Sequence, residues 1–427
     1  MKAINNFLFP NSENEKQTQS FSIKLNKQVS KFFRYLQLDN TSAIYRILIT
    51  LLIAVPLFVS LGLSDKKNAE VSVKENKEIK STVITSGDSQ RESITFILGE
   101  DKKDSKPYYS LAFDYYKTDK SARTEYIINS CRSLSEVRDY LRNNPPGNGQ
   151  PWGLINLVSH GNEWYGMSVP VTPESKRSST ERITEFVNTG KFASLSDSLV
   201  DDSTEIFLHG CGLGNDKGLL KIVAKAFGGN GKRPVVRASK LKEYYSSVRN
   251  TDEVLTSQLF YARTWSVYYK MKEKPDDDFL NQEFLKTFPD EKINWNAALS
   301  RTNPVTPGDV FHYTINVPVY YMKQYNSTDS LPDLSTEEKK IKWLALQKTL
   351  TDIIAKSKIP MDKFKWTIRK IYVKDAKKGN QPAISVTGWC TVLCVVKPLV
   401  TEKNSSTCIA TPYCPALSDT TYFGLNN

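Results

Sequence analysis

At 427 residues, with 39% apolar and 11% aromatic residues, the chain is long enough for two or three domains and a packed core that needs no metal or disulfide to fold. A mean hydropathy of -0.43 excludes a polytopic membrane protein. The charge of +12 arises from 58 Lys and Arg against 46 Asp and Glu, spread without a dense basic cluster, which argues for a solvated surface and against a nucleic-acid partner.

Residues 1–43 are polar and rich in Asn, Gln and Ser, the composition of a tail without a core. Residues 47–63 read ILITLLIAVPLFVSLGL, uncharged and bounded by Arg46 and by Asp65, Lys66 and Lys67, which predicts a single transmembrane helix over residues 44–64 in preference to a buried core helix. Lys24, Lys27, Lys31, Arg34 and Arg46 precede it. The positive-inside bias then puts the tail in the cytoplasm and the main domains outside it, periplasmic or at the cell surface. The long basic lead and the want of an Ala-x-Ala site argue against a cleaved signal peptide. Residues 65–92 form a Lys/Glu/Ser linker.

From Ser93 the texture changes to short apolar runs alternating with amphipathic segments, which predicts an α/β domain over 93–301 with a mainly parallel sheet flanked by helices. Strands are expected at 94–98, 109–115, 153–159, 205–209 and 234–238. Helices are expected from Ser133, with Glu136 three residues on, from Ser178, with Glu181 three on, and over 217–227, ending at Gly228. Beyond residue 302 a smaller α+β domain is expected, with strands at 311–317, 365–373 and 384–396 and a charged helix near 335–357. Cys390, Cys394, Cys408 and Cys414 crowd its end with three, thirteen and five residues between them. In an oxidising compartment that pattern suggests two disulfides of undetermined connectivity, with a four-thiolate zinc site as the alternative that lacks the usual Cys-x2-Cys spacing.

Two strand ends carry the chemistry. One reads Leu154-Ile155-Asn156-Leu157-Val158-Ser159-His160-Gly161, the other Glu205-Ile206-Phe207-Leu208-His209-Gly210-Cys211-Gly212. In a parallel sheet the carboxyl ends of adjacent strands line one crevice, so an imidazole and a thiol could meet there. A cysteine nucleophile needs a base, a donor for the leaving amine and N–H groups aimed at the oxyanion, for which the amides of Gly161 and Cys211 are candidates. Taken singly, a Cys after a strand is more often a buried hydrophobe and a His before Gly a turn residue; the pairing carries the inference. Of the other histidines, His209 lies on the Cys-bearing strand and reads as structural, and His312 is the reserve partner. An α/β-hydrolase elbow is disfavoured because His209 and Leu213, not glycines, stand two residues either side of Cys211.

Apolar strand, Ser-His-Gly, and about fifty residues later apolar strand, Gly-Cys-Gly and a helix together resemble the caspase-like cysteine peptidases, the superfamily of caspases, legumain, clostripain and gingipains. The resemblance covers residues 94–245 and is nearest to bacterial caspase-like domains. It implies a membrane-anchored cysteine endopeptidase acting on protein or peptide substrates, with Cys211 as nucleophile, His160 as general acid/base, and neither metal nor organic cofactor. The Gln-Ala-Cys-x-Gly sequence of caspases is not reproduced, since Leu208-His209-Gly210 precedes the Cys. The alternative is a non-catalytic caspase-like scaffold serving as a membrane-anchored binding module.

Overall fold

Five-residue apolar runs punctuated by Gly, Ser and Asp dictate short buried strands, and amphipathic stretches with Ser or Asp ahead of them dictate capped helices. The computed structural model describes residues 79–80, 91–103, 106–118, 124–229, 231–249, 254–304, 308–375, 379–401 and 411–426, all within one unit, residues 76–427.

In chain order the first layer comprises β1 (Ile79–Lys80), β2 (Ser93–Ile97), α1 (Tyr109–Thr118), β3 (Tyr126–Ile128), α2 (Leu134–Asn143) and β4 (Leu154–Val158). A small three-stranded excursion follows, β5 (Gly161–Asn162), β6 (Gly166–Pro170) and β7 (Arg177–Ser178). Then come α3 (Thr180–Asn188), β8 (Glu205–His209), α4 (Lys217–Phe227) and β9 (Val235–Ser239). The caps are local chemistry. Ser133 Oγ accepts from the Glu136 N–H at 3.2 Å while Glu136 accepts from the Arg132 N–H at 2.6 Å, and Asp216 accepts from the Leu219 N–H at 3.1 Å. The cap of α3 falls at Ser179, one residue later than expected.

The second layer is a five-stranded sheet of β10 (Lys242–Arg249), β11 (Leu255–Lys270), β12 (Phe311–Gln324), β13 (Lys365–Asp375) and β14 (Gly379–Pro398). Its helices are α5 (Asp277–Thr287), α6 (Trp295–Leu299), α7 (Glu337–Ala345) and α8 (Lys348–Ser357). Alternation along β14 buries both faces: Leu393 and Val395 pack with Phe284 of α5 and Trp295 of α6, while Cys390, Val392 and Cys394 join Leu344 of α7 and Leu350 of α8. A two-stranded ribbon, β15 (Val400–Thr401) with β16 (Thr411–Pro412), precedes β17 (Phe423–Leu425), which returns to the first sheet beside β9.

The expectation of a mainly parallel sheet with a separate smaller domain is corrected. In the first sheet, ordered β1-β3-β2-β4-β8-β9-β17, the inner strands are parallel but β1 and β17 run antiparallel at the edges, and the second sheet is antiparallel throughout. Its strands come from both sides of residue 302: β10–β11 and β13–β14 are hairpins with short connections, while β14 also pairs with β11 and β12 from distant parts of the chain, the long aromatic and β-branched runs supplying the pleated, half-buried faces. The strand expected at 109–115 is instead the helix α1. Buried Tyr109, Ala112 and Tyr116 recur at helical spacing, and the Asp101 carboxylate caps the start by accepting from the N–H groups of Tyr108, Tyr109 and Ser110 at 2.8, 3.0 and 3.0 Å.

The transmembrane helix, and with it the single-pass placement and extracytoplasmic main domains, is also corrected. Among the described residues no helix is long and apolar enough to cross a membrane; the longest, α4 and α5, have 11 residues where about 20 are needed. The apolar run 47–63 lies outside the described residues. The disulfide expectation fails too. Cys390 and Cys394 are free thiols, and Cys408 lies outside the described residues. Cys390 and Cys394 stand four apart on one strand, which separates their Cα atoms by about 13 Å, twice what a disulfide spans. Burial pushes the Cys390 thiol up to about 12, and among the described residues no group of three or more His, Cys, Asp or Glu side chains could hold a metal.

One ion pair ties the start of the first sheet to the turn before β8. Arg91 Nη1 and Nη2 donate to Asp201 at 2.7 and 2.9 Å, and Arg91 chiefly holds the Asp201 carboxyl at about 2, below its ordinary 3.8. A depressed folded value stabilises above the unfolded one, so this contribution is present above pH 4 and is lost as pH falls toward 2. Asp201→Asn is expected to cost about 2 kcal/mol at pH 7. Urea titrations at pH 7 and pH 2 check it: the gap between wild type and variant should close in acid.

Candidate active site

β4 and β8 are adjacent and parallel, with Val158 opposite His209, and the Ser159 N–H donates to His209 O at 3.0 Å. His160 and Cys211 therefore each stand two residues beyond paired positions, at the same edge of the sheet. The two turns touch through Leu213, fully buried. A Cβ added to Gly161 would sit 2.9 Å from Leu213 Cδ2, and one added to Gly210 would sit 2.8 Å from Leu213 Cδ1 and 2.9 Å from Ser159 O. Only glycine permits that approach.

Cys211 is half-buried and lines a cavity of about 410 Å³ whose walls include Trp164, Lys242, Arg263, Tyr313 and Tyr422. That volume suits a peptide side chain or small ligand. The Cys211 thiol donates to Glu243 O at 3.3 Å, so its hydrogen bond goes to main chain and not to His160.

His160 is exposed, yet its ring lies face-on to Tyr108, ring centroids 4.1 Å apart at 29°, and edge-on to Tyr109 at 5.1 Å. Its main-chain N–H donates to Tyr109 Oη at 3.2 Å and its carbonyl accepts from the Ser168 N–H at 2.6 Å, which anchors the backbone while stacking orients the ring. Loss of water from the stacked face, helped by the cations of Lys242 and Arg177, lowers the imidazole pKa from its ordinary 6.5. The ring is consequently neutral at pH 7 and able to take a proton.

Gly161 opens β5 opposite Met167, and its amide and that of Cys211 lie on the two touching turns. His209 is buried, with Nδ1 3.1 Å from Glu243 Oε2, Nε2 2.8 Å from Tyr116 Oη and 3.3 Å from Asn156 Oδ1, and its ring stacked on Phe207 at 4.2 Å. Every polar atom of that ring is occupied. His312, on β12, donates from Nδ1 to Ala298 O at 2.9 Å, and neither it nor His160 lines the Cys211 cavity.

Sequence reasoning missed Tyr108 and Glu243. Tyr108 is buried and stacks on His160; burial above all drives its phenol well above the usual range, and its hydroxyl has no hydrogen-bond partner among the described residues. Glu243 belongs to β10, which was not expected as a strand. Neither carries a motif; the Tyr108-Tyr109 pair at the start of a helix and an acid beside a Tyr-Tyr pair in a strand were the available signals. Comparison with family models, with curated proteins and with solved structures finds no match to this chain.

Proposed function

We propose that the protein is a cysteine-type endopeptidase that cleaves peptide bonds through an acyl-enzyme on Cys211, with His160 as general acid/base. The observation that supports this reading is the register of β4 with β8, Val158 opposite His209, so that His160 and the cavity-lining Cys211 each follow the same end of two adjacent parallel strands by two residues. His160 takes the thiol proton as Cys211 Sγ attacks the scissile carbonyl carbon and passes that proton to the leaving amine as the C–N bond breaks. Water, deprotonated by the same imidazole, then hydrolyses the thioester and restores the thiol. The N–H groups of Gly161 and Cys211 are the proposed donors to the oxyanion. A neutral imidazole at pH 7 supports the base role.

One observation favours the second reading, a non-catalytic binding scaffold: the thiol is directed to Glu243 O. Treatment with a peptidyl electrophile and peptide mapping by mass spectrometry separates the two. An adduct on Cys211 is expected; an unmodified Cys211 under conditions that label a known cysteine peptidase supports the scaffold and sinks the enzyme. His160→Ala should reduce turnover roughly 10²- to 10⁴-fold with the circular dichroism spectrum retained. The acid limb of the pH–activity profile should lie below 6.5, because His160 must be neutral to accept the thiol proton. A limb above that value would contradict its role.

A further inference from the structure

The segment bearing Cys211 is stitched to the start of β10. The Gly212 N–H donates to Leu241 O at 2.8 Å, Asn215 Nδ2 to Lys240 O at 3.1 Å, and the Cys211 thiol to Glu243 O at 3.3 Å. The last of these is joined by a side-chain bond from the same residue: Glu243 Oε2 lies 3.1 Å from His209 Nδ1, two positions before the nucleophile.

Period-two alternation explains why one residue reaches both. Along β8, Ile206 and Leu208 face α2–α4, whereas Phe207 and His209 face α1 and the second sheet, where Glu243 sits. Behind His209 the bonds continue through Asn156, whose Nδ2 donates to Thr95 Oγ1 at 3.0 Å, and Thr95 lies 2.8 Å from Thr124. Glu243 is 1% exposed and His209 5%. A buried Glu–His pair is weak as a source of stability compared with apolar residues of similar size, and its best use is to enforce one geometry. Apolar packing would fill the space without fixing where the turn after β8 begins.

We propose that Glu243 is a positioning residue for Cys211: its carboxylate clamps His209 and its main-chain carbonyl receives the thiol, so that one buried residue of the antiparallel sheet sets both the place of the nucleophile's turn and the direction of its S–H bond. This rests on the reading of Cys211 as the nucleophile. Around the carboxylate are His209 and the Gly210 N–H, Tyr108 just ahead of α1, Tyr116 of α1, Tyr245 of its own strand and Tyr261 of β11; His209 is the one base among them.

The test is steady-state peptide hydrolysis by the full chain and its variants. Glu243→Ala is expected to lower kcat roughly 10- to 100-fold, the cost of a misplacement near 1 Å, with KM unchanged because Glu243 is buried and does not line the Cys211 cavity. Glu243→Gln, which can still accept from His209 Nδ1–H, should recover most of the loss. If Glu243→Ala does not fold, His209→Gln opens the same clamp from the other side and should show the same split. A folded variant of either kind with wild-type kcat overturns the proposal, as does a loss that appears in KM alone. The unmutated chain gives an independent measurement: the Nδ1 proton resonance of His209, followed in histidine-labelled protein, should move when Cys211 is alkylated by iodoacetamide. No movement also overturns it. Wild-type protein that neither cleaves peptides nor takes a peptidyl electrophile sinks the nucleophile reading first, and the two failures are thereby told apart.

Discussion

Cys211→Ala is expected to abolish acyl-enzyme formation and to reduce peptide hydrolysis by about 10³-fold or more, the scale on which removal of a covalent nucleophile acts. The substitution removes one sulfur from a half-buried position and one hydrogen bond to Glu243 O, so the fold should tolerate it with little change in unfolding midpoint. Loss of activity at constant stability is therefore the diagnostic pairing. Cys211→Ser is the companion variant: it keeps a donor for Glu243 O but replaces a thiol by a far weaker nucleophile, and it should be stable and almost as inactive. Cys131 and Cys390 cannot take over, since both are buried with thiols pushed up to about 12; Cys394, which lines the same cavity, and the exposed Cys414 are controlled by their own Ala variants. Hydrolysis that persists in both variants, measured on protein repurified under denaturing and refolding conditions, would remove Cys211 from the chemistry.

Leu213→Ala should couple stability to activity. Leu213 is fully buried in the core between the first sheet and α2–α4, and its two δ-carbons are the groups against which the main chain at Gly161 and Gly210 rests. Deleting them leaves a cavity whose expected cost is 2–5 kcal/mol, measured by urea unfolding, with the exact figure set by how far the turns collapse. Collapse would shift His160 relative to Cys211, and a misplacement of about 1 Å carries a penalty near 10²-fold in turnover. The expected result is a destabilised protein with kcat reduced in the fraction that remains folded. A drop in stability with wild-type kcat would mean that the two turns are held in register by the strand pairing alone.

The local elements near the site were legible in the sequence because their determinants are local. Apolar runs at 154–158 and 205–209 are strands, the capping pair Ser133 and Glu136 starts a helix, and the amphipathic run 217–227 is one ending before Gly228. The nearness of the two turns could be argued from chain order, since an intervening helix lets successive strands pair in parallel. Segments whose conformation depends on a distant partner were not legible. The aromatic stretch at 109–118 reads equally as strand or helix until Asp101 caps it and a sheet face receives Tyr109, Ala112 and Tyr116. The long strands β10 and β11 follow from pairing across 242–270 and with β14, whose partners lie more than a hundred residues away.

The same division runs through the chemistry. By itself the sequence determined which residue types stand at the two strand ends, the spacing between His160 and Cys211, and the glycines that let their turns approach. Only the tertiary structure decided that the second sheet is antiparallel, that Cys390 and Cys394 are strand-buried free thiols, and that Tyr108 and Glu243 attend the imidazole and the sulfur. The physical reason is range. Hydrogen-bonded turns and caps are settled within a few residues, whereas burial of a carboxylate against a histidine, or of a phenol against an imidazole, exists only after segments far apart in the chain exclude water between them.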